Sequence, residues 1–160
     1  MAVQTSYSNY MGEAYPGMLA DMEMNNIISK VNGTSAMIPF GSPVFSDGDV
    51  GMKIGATGLT DNQFMGITMR ELNRAYTAAE QASGIGVPVN RDGAVITAGV
   101  VWVTASVAVS KDDPVYVVLA TNALTNVAGD SGTTVLIPNA KWVSTGTAGS
   151  LSKISLVNGG

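Results

Sequence analysis

The sequence predicts an all-β protein, an antiparallel sandwich or jelly-roll-like module that carries an extended N-terminal arm. The first observation is a series of short apolar runs, separated by turn residues, that begins after Asn32-Gly33 and continues to the end of the chain. The second is the lack of a long amphipathic helix that could cover a parallel sheet. Strands at this spacing pack antiparallel in a sandwich, a jelly roll or an irregular barrel, and these three architectures stay open.

The predicted arm, residues 1–30, differs from the rest of the chain in its side chains. Methionine fills irregular gaps and tyrosine combines a large contact area with few rotatable bonds, so the segment suits contact with a partner. The alternative is that the segment lies on its own domain. A short helix over residues 19–28 stays open, because the apolar positions follow the 3.6-residue period only loosely. The side chains concerned are Tyr7, Tyr10, Tyr15, Met11, Met18, Met22 and Met24.

Residues 31–160 form the predicted β-rich domain. Its longest uncharged stretch, residues 93–110, reaches membrane-spanning length, but Gly99 and many β-branched residues favour two strands over a membrane helix. Residues 70–82 combine good helix formers with four charges, which predicts one or two helical turns or a charged loop. Strands are predicted at 36–40, 43–45, 51–54, 64–69, 86–89, 94–96, 100–103, 114–119, 134–137, 140–144 and 151–157.

Alternation along the second half of the chain predicts which side chains share a face of a strand. In an extended segment Val101 and Val103 face opposite to Val100, Trp102 and Thr104. We interpret Trp102 as a core anchor, since a tryptophan side chain has a large apolar surface to bury, with a role at an interface as the alternative.

The composition points to assembly and away from nucleic acid. Hydrophobic residues make up 46% of the chain and charged residues 12%, about half the roughly 25% of an ordinary domain, so a folded monomer would leave weakly polar surface for another protein. A monomer coated by Ser, Thr, Asn and Gly is the alternative. The net charge of −4 and eight scattered Lys and Arg provide no basic stripe for a phosphate backbone. Residues 1–10 lack the basic and apolar regions of a secretory signal.

The sequence lacks several of the side chains on which enzyme catalysis usually depends. There is no histidine and no cysteine, which removes the usual general base, the thiolate nucleophile and the commonest metal ligands. The carboxylate pairs Asp47/Asp49 and Asp112/Asp113 lie next to Gly or Pro, where acidic residues bond to the backbone of turns. We therefore expect a protein that is not an enzyme, with no catalytic residue, no cofactor and no metal site.

A series of short motifs, in a particular order, runs from residue 14 to the C-terminus. Through these motifs the chain resembles the cement, or capsid-decoration, proteins of tailed bacteriophages. The specificity lies in order and spacing, because each motif consists of ordinary strand and turn residues. The motifs are YPGMLAD at 15–21, IIS at 27–29, IPFG at 38–41, PV at 43–44, FMGI at 64–67, VPV at 87–89, GVVWV at 99–103, KDDPVYV at 111–117 and GSL at 149–151.

The resemblance implies a β-sandwich or jelly-roll-like module on the outer surface of a phage head, made in the cytoplasm of the bacterial host. Its partners would be the major capsid protein, whose neighbouring subunits it would bridge, and further copies of itself in a homodimer or homotrimer. Neither nucleic acid nor a membrane is an implied partner. We expect the contacts with the shell or between copies to involve Tyr10, Tyr15, Met18, Met22 and Met24.

A second function is compatible with the same predicted fold. A β-sandwich that binds carbohydrate or peptide would use exposed aromatic rings as a platform, and Trp102 or Trp142 would supply it.

Overall fold

The computed structural model describes residues 14–21, 23–71, 77–78 and 85–157. Within these ranges the protein is built almost entirely from strands, so the predicted all-β class is confirmed. A single turn of 3₁₀ helix, Asp61–Gln63, precedes the fifth strand. The strands are β1 (Asn26–Asn32), β2 (Ile38–Pro39), β3 (Pro43–Asp47), β4 (Gly51–Lys53), β5 (Phe64–Thr68), β6 (Gly86–Val87), β7 (Asp92–Thr104), β8 (Pro114–Val118), β9 (Ala123–Thr125), β10 (Thr134–Trp142) and β11 (Leu151–Val157).

Nine of these strands form one sheet that closes on itself. Their order is β1-β4-β3-β5-β7-β11-β10-β8-β9. An additional pairing of β1 with β7 joins the first five strands of this order, β1, β4, β3, β5 and β7, into a ring. β2 and β6 form a separate two-stranded sheet. The named strand pairs are antiparallel, as predicted, except that β1 and β4 run parallel, with Val31 opposite Gly51. The arrangement is barrel-like, and the finer expectation of a jelly roll stays a prediction.

The long strand β7 belongs to both halves of the molecule. In its first half, Ile96 lies opposite Ile27 of β1 on one side and Ile67 of β5 on the other. Its second half pairs with β11 over the whole of that strand. The sequence predicts two strands here, but the structure has one, since Gly99 adopts a φ of 124°, which glycine tolerates, and remains paired with Leu156 of β11.

The second half of the molecule also curls back toward β7. Ala105, the first residue after β7, forms a parallel bridge with Leu124 of β9. In the sheet order, β11, β10 and β8 lie between β7 and β9. The bridge between Ala105 and Leu124 therefore brings the end of β7 next to β9. Asn122 joins the two halves, since its side chain accepts a hydrogen bond from the Gly55 N–H (2.8 Å) and donates one to the Pro43 carbonyl (3.0 Å).

Each half has its own apolar core. The smaller core lies in the five-stranded ring and consists of Ile38, Phe40, Val44, Met52, Val87 and Val95. The larger one lies mainly in the second half and includes Val101 and Val103, whose side chains have no exposed surface. Each buried aliphatic side chain of this size contributes about 1.5–3 kcal/mol, so the two cores supply most of the stability.

The two tryptophans have different environments, and one prediction was wrong. Trp142 is fully buried in the larger core, whereas Trp102 is half-buried on the outer face of β7. The alternation placed Trp102 opposite to Val101 and Val103, as observed, and its size alone suggested a core position. The core is filled instead from β10, because Trp142 lies opposite Ile154 of β11 and shares its inward face.

The described part of residues 1–30 is bound to the domain. The Gly17 N–H donates to the Trp102 carbonyl (2.7 Å), and the Trp102 N–H donates to the Met18 carbonyl (2.9 Å), so residues 17–20 lie along β7. Leu19 packs against the larger core. The helix left open over residues 19–28 is not formed at its C-terminal end, since β1 begins at residue 26. The division into an arm (1–30) and a domain (31–160) stays a prediction, and its boundary lies within β1.

Three other differences from the predicted strands are β1 and β9, which the sequence did not indicate, and β10, which joins the strands predicted at 134–137 and 140–144. Strand β1 has the sequence NIISKVN, in which Ile27 and Val31 are exposed and Asn32 is buried, the reverse of the usual polarity. Strand β9 is only three residues long. The helical turns or charged loop predicted for residues 70–82 lie largely outside the described residues.

The carboxylate pair Asp112/Asp113 has the predicted turn role. Asp112 adopts a φ of 72° and its N–H donates to the Trp142 carbonyl (2.7 Å). The Asp113 carboxylate accepts hydrogen bonds from the Asn126 side-chain amide (2.6 Å) and the Ser110 N–H (2.9 Å). These donors favour the ionised form, so they hold the pKa of Asp113 below its ordinary value of 3.8. The carboxylate thereby links the loop before β8 to the segment after β9.

Replacing Gly66 by alanine is expected to destabilise the protein strongly. A Cβ atom at this position of β5 would lie against the Ile96 carbonyl oxygen of β7 and 2.9 Å from its carbonyl carbon. Backbone atoms of a closed ring have little freedom to move, so we expect a loss of about 1–3 kcal/mol or more. Urea unfolding measures the loss, with Ser29→Ala on the exposed face of β1 as the control. A Gly66→Ala protein as stable as its control would contradict the close β5–β7 approach.

Acid unfolding is expected to depend on Asp113. Because the folded-state pKa is lowered, the stabilisation by the carboxylate is complete above its ordinary value of 3.8 and is lost as the pH falls through the folded-state value. Asp113→Asn should therefore lower the thermal midpoint at neutral pH, and the difference from the natural protein should vanish in strong acid.

The control for this experiment is Asp130→Asn. No hydrogen bond to the Asp130 carboxylate is found among the described residues, and its side chain is exposed. A difference between Asp113→Asn and the natural protein that stayed constant from neutral pH to strong acid would show that the carboxylate charge is not involved.

Candidate functional site

The described residues do not assemble a metal site. No group of three or more Asp, Glu, His or Cys side chains comes close enough to hold an ion within these ranges. Asp47 of the other carboxylate pair faces Lys53 at 3.4 Å, in an exposed ion pair worth about 0–1 kcal/mol. Both carboxylate pairs thus have structural partners or turn positions in the described chain.

A hollow of about 340 Å³ lies between the two halves of the molecule. Its wall comes from the segment around Phe40, from the end of β7 and from the turn that contains Asn122. None of the described residues that line it has an ionisable side chain. The hollow therefore offers neither an acid nor a base, and the surface of the protein is the better candidate for function.

The residues predicted to make contacts fall into three groups. Tyr10 and Met22 lie outside the described residues. Tyr15 and Met18 lie together, since the Tyr15 N–H donates to the Met18 sulfur at 3.3 Å, and their side chains are 57% and 38% exposed. Met24, two residues before β1, is 97% exposed. The structure thus brings Tyr15 and Met18 together and shows three of the five predicted side chains at the surface.

Tyr15 and Met18 belong to a larger group of aromatic, apolar and basic side chains. Residues 18 and 102 are opposite each other in the pairing of residues 17–20 with β7, which turns Met18 and Trp102 to the same outer face. Lys153 of β11 is the partner of Trp102 on its other side, and the Lys153 Nζ lies 4.9 Å from the centre of the indole ring. We call Tyr15, Met18, Arg70, Trp102 and Lys153 the aromatic face.

Basic side chains cover both rings of the aromatic face. The Arg70 Cζ atom lies 4.4 Å from the centre of the Tyr15 ring. Lys153 covers the Trp102 ring in the same way. Such cation–π contacts contribute about 0.5–1 kcal/mol at exposed sites and restrict the rings to a few orientations. The face therefore offers large side chains whose positions are partly fixed before any partner arrives.

A second apolar surface lies around β1. Ile27 and Val31 point outward and are 38% and 37% exposed, and Val50, whose carbonyl accepts the Val31 N–H (3.0 Å), is 70% exposed. We call these three residues the β1 face. Sequence reasoning missed Ile27, Val31 and Val50. The alternation of Ile27, Ser29 and Val31 was the available signal, but the open helix over residues 19–28 obscured it.

The structure leaves little of the aromatic platform that the alternative function, binding of carbohydrate or peptide, would require. Trp142 has no exposed surface and therefore cannot contact a carbohydrate or a peptide. Trp102 retains part of its surface, but Lys153 covers its ring.

No helix in the described part of the chain has the length and apolar character needed to cross a membrane.

Comparison with solved structures finds a likeness of fold. A chain from the capsid of Myoviridae phage XM1 superposes with a TM-score of 0.70 and 18% identity, and the match covers 98% of each chain. A second match, to the head fiber gp8.5 N base of bacteriophage phi29, has a TM-score of 0.37 and 15% identity, covers 84% of this chain and 95% of that chain, and carries no argument. The first of these matches shows the fold.

Comparison by sequence gives the family. No curated protein matches the chain. A model of one protein family, described as structural cement protein (E217 gp24/Pam3 gp6), matches residues 3–157. This match spans nearly all of the 160 residues and confirms the resemblance drawn from the order of the short motifs. The chain belongs to the phage family of structural cement proteins.

Proposed function

We propose that this cement protein binds the outer surface of a phage head, bridges neighbouring subunits of the major capsid protein and stabilises the shell. The observation that carries the proposal is the family match over residues 3–157. The match with the capsid of Myoviridae phage XM1 supports it, because a chain of that capsid has the same fold. The protein performs this role by contact, without turnover of a substrate.

The outer surface suits the charge of the chain better than the interior of the head. The net charge is −4, and the basic side chains Arg70 and Lys153 are placed over aromatic rings rather than in a stripe. Packaged DNA is densely negative and would repel such a surface. A position outside the shell avoids this repulsion and leaves the virion surface as the site of action.

The aromatic face and the β1 face are the proposed contact surfaces. The aromatic face combines aromatic, apolar and basic side chains, and the β1 face consists of apolar ones. Much of the backbone that carries them is already hydrogen-bonded to β7 or within the five-stranded ring. Because this backbone is ordered before binding, less conformational entropy is lost when the shell is contacted. Tyr10 and Met22, which lie outside the described residues, are proposed to extend these contacts.

A homodimer or homotrimer is part of the proposal. Copies of the protein on a symmetric shell repeat each contact, so several weak contacts add through a high effective concentration. One of the two apolar faces then serves the contact between copies while the other serves the shell. The low charged fraction of 12% favours such permanent contacts over a monomer.

Substitution of Met24 tests the contact with the shell. Its side chain is 97% exposed, so Met24→Ser should leave the free energy of unfolding unchanged. Loss of a well-packed methionine from an interface should weaken binding to heads that lack the cement protein by about tenfold, or about 1.4 kcal/mol. Cosedimentation with purified heads measures this affinity.

The matched control is Val127→Ser on the loop after β9, where the valine is 59% exposed and belongs to neither face. This variant should bind like the natural protein. Equal affinity of the Met24→Ser and natural proteins would remove Met24 from the shell contact, and failure of the natural protein to bind any head would overturn the proposed function itself.

The salt dependence of binding tests the apolar character of the contact. Exposed charge pairs are screened within about 10 Å at 0.1 M salt and within about 3 Å at 1 M salt, whereas apolar burial is not weakened. We therefore expect the affinity for heads to change by less than about tenfold over this range. A steep loss of binding would indicate that charges, rather than the two apolar faces, hold the protein on the shell.

A further inference from the structure

Asn32 is a buried polar residue at the point where the five-stranded ring closes. It is the last residue of β1, has no exposed surface and lies opposite Met52 in the parallel pair. Its side-chain Nδ2 donates to the carbonyls of Ala36 and Val87, both at 2.9 Å. Its Oδ1 accepts from the Thr34 N–H (2.9 Å) and hydroxyl (2.7 Å). The amide is therefore fully bonded, with two donors and an acceptor in use.

The residue that follows makes this asparagine chemically reactive in an unfolded chain. In an Asn-Gly step the backbone nitrogen of the glycine attacks the asparagine Cγ, because glycine has no Cβ to hinder the approach and the chain bends freely. A bond forms between the Gly33 nitrogen and Asn32 Cγ, the bond from Cγ to Nδ2 breaks, and ammonia leaves with the proton from the Gly33 nitrogen. Water then opens the cyclic imide to aspartate or isoaspartate. Asparagine is among the thermolabile residues for this reason.

The folded protein blocks each stage of the reaction. The Gly33 N–H donates to the Met52 carbonyl (3.1 Å), so the attacking nitrogen is held toward β4. The four side-chain hydrogen bonds of Asn32 prevent Cγ from swinging toward that nitrogen. Burial of the side chain also keeps out the water that would open the imide.

We infer that Asn32-Gly33 is a spontaneous deamidation site that the closed ring protects, so that the reaction occurs on unfolding and makes the unfolding irreversible. An aspartate at position 32 cannot donate to the Ala36 and Val87 carbonyls, and it would place a buried negative charge beside two carbonyl oxygens. Isoaspartate would in addition lengthen the backbone within β1. The modified chain therefore does not rebuild the ring.

A second Asn-Gly step in the same chain provides an internal reference. Asn158-Gly159 lies outside the described residues and has the same local sequence chemistry. In the unfolded chain both steps should react at similar rates. In the native protein the rate of deamidation at Asn32 should not depend on that at Asn158, because the protection of Asn32 comes from its own hydrogen bonds and burial.

The experiment follows the full chain in mildly alkaline buffer, with and without urea above the unfolding midpoint. Peptide mass spectrometry measures the gain of about one dalton at each site and separates aspartate from isoaspartate. In urea we expect Asn32 and Asn158 to deamidate together. Without urea we expect the reaction at Asn32 to be slower by at least about a hundredfold, since it requires opening of a core strand. Deamidation of native Asn32 at the rate seen in urea would overturn the inference.

Refolding tests the consequence for the fold. The fraction of chains that refold after increasing time in urea should fall in parallel with the fraction of intact Asn32. Gly33→Ala should slow the loss, because the added Cβ hinders attack and would meet only the end of the Asp47 side chain, 2.8 Å from its Oδ2. Asn158→Asp, the matched control, should refold like the natural protein. A constant refolding yield while Asn32 reacts would also contradict the inference.

Discussion

The structure depends on the pairing of one strand, β7, with four other segments. Its first half is hydrogen-bonded between β1 and β5, and its second half between β11 and residues 17–20. No other described strand joins the two halves of the molecule through the sheet order. Gly99 lies where the two halves of β7 meet, and it adopts a φ of 124°, which suits glycine, while it stays paired with Leu156 of β11. The two cores are thereby held in a fixed relation.

This arrangement determines which side chains are left for contact. Alternation along β7 directs Val101 and Val103 into the larger core and Trp102 outward, and the same rule turns Met18 outward while Leu19 packs inward. The aromatic face is therefore a direct consequence of the pairing of residues 17–20 with β7. Pairing on both sides of β7 holds this surface in place in a chain that has no cysteine for a disulfide.

The sequence was informative where side-chain alternation is local. It predicted the all-β class, most strand positions and the placement of Val101 and Val103 on the face opposite to Trp102, since each rests on a few adjacent residues. Its choice of Trp102 for the core, which would have turned these two valines outward, was wrong. It could not indicate β1, because exposed Ile27 and Val31 and buried Asn32 acquire their environments only when distant strands close the ring. The choice of Trp142 over Trp102 for the core likewise depends on the pairing with Ile154. At the surface, Tyr15, Met18 and Met24 were found from residue type, whereas Val50 was missed because its exposure follows from tertiary structure.

Asn32 shows why a polar residue occupies the closing point of the ring. The parallel pairing of β1 with β4 ends there, and the Asn32 amide donates to the carbonyls of Ala36 and Val87. An apolar residue of similar size would remove both hydrogen bonds and leave the Thr34 hydroxyl (2.7 Å) as a donor to the Ala36 carbonyl. An amide satisfies both carbonyls and also accepts from Thr34, so it selects this register of β1 over one shifted by a residue, which would move Ile27 and Val31 into the ring. The same amide that specifies the closed ring thus presents the β1 face to the outside, and the fold and the proposed contact surface have one physical origin.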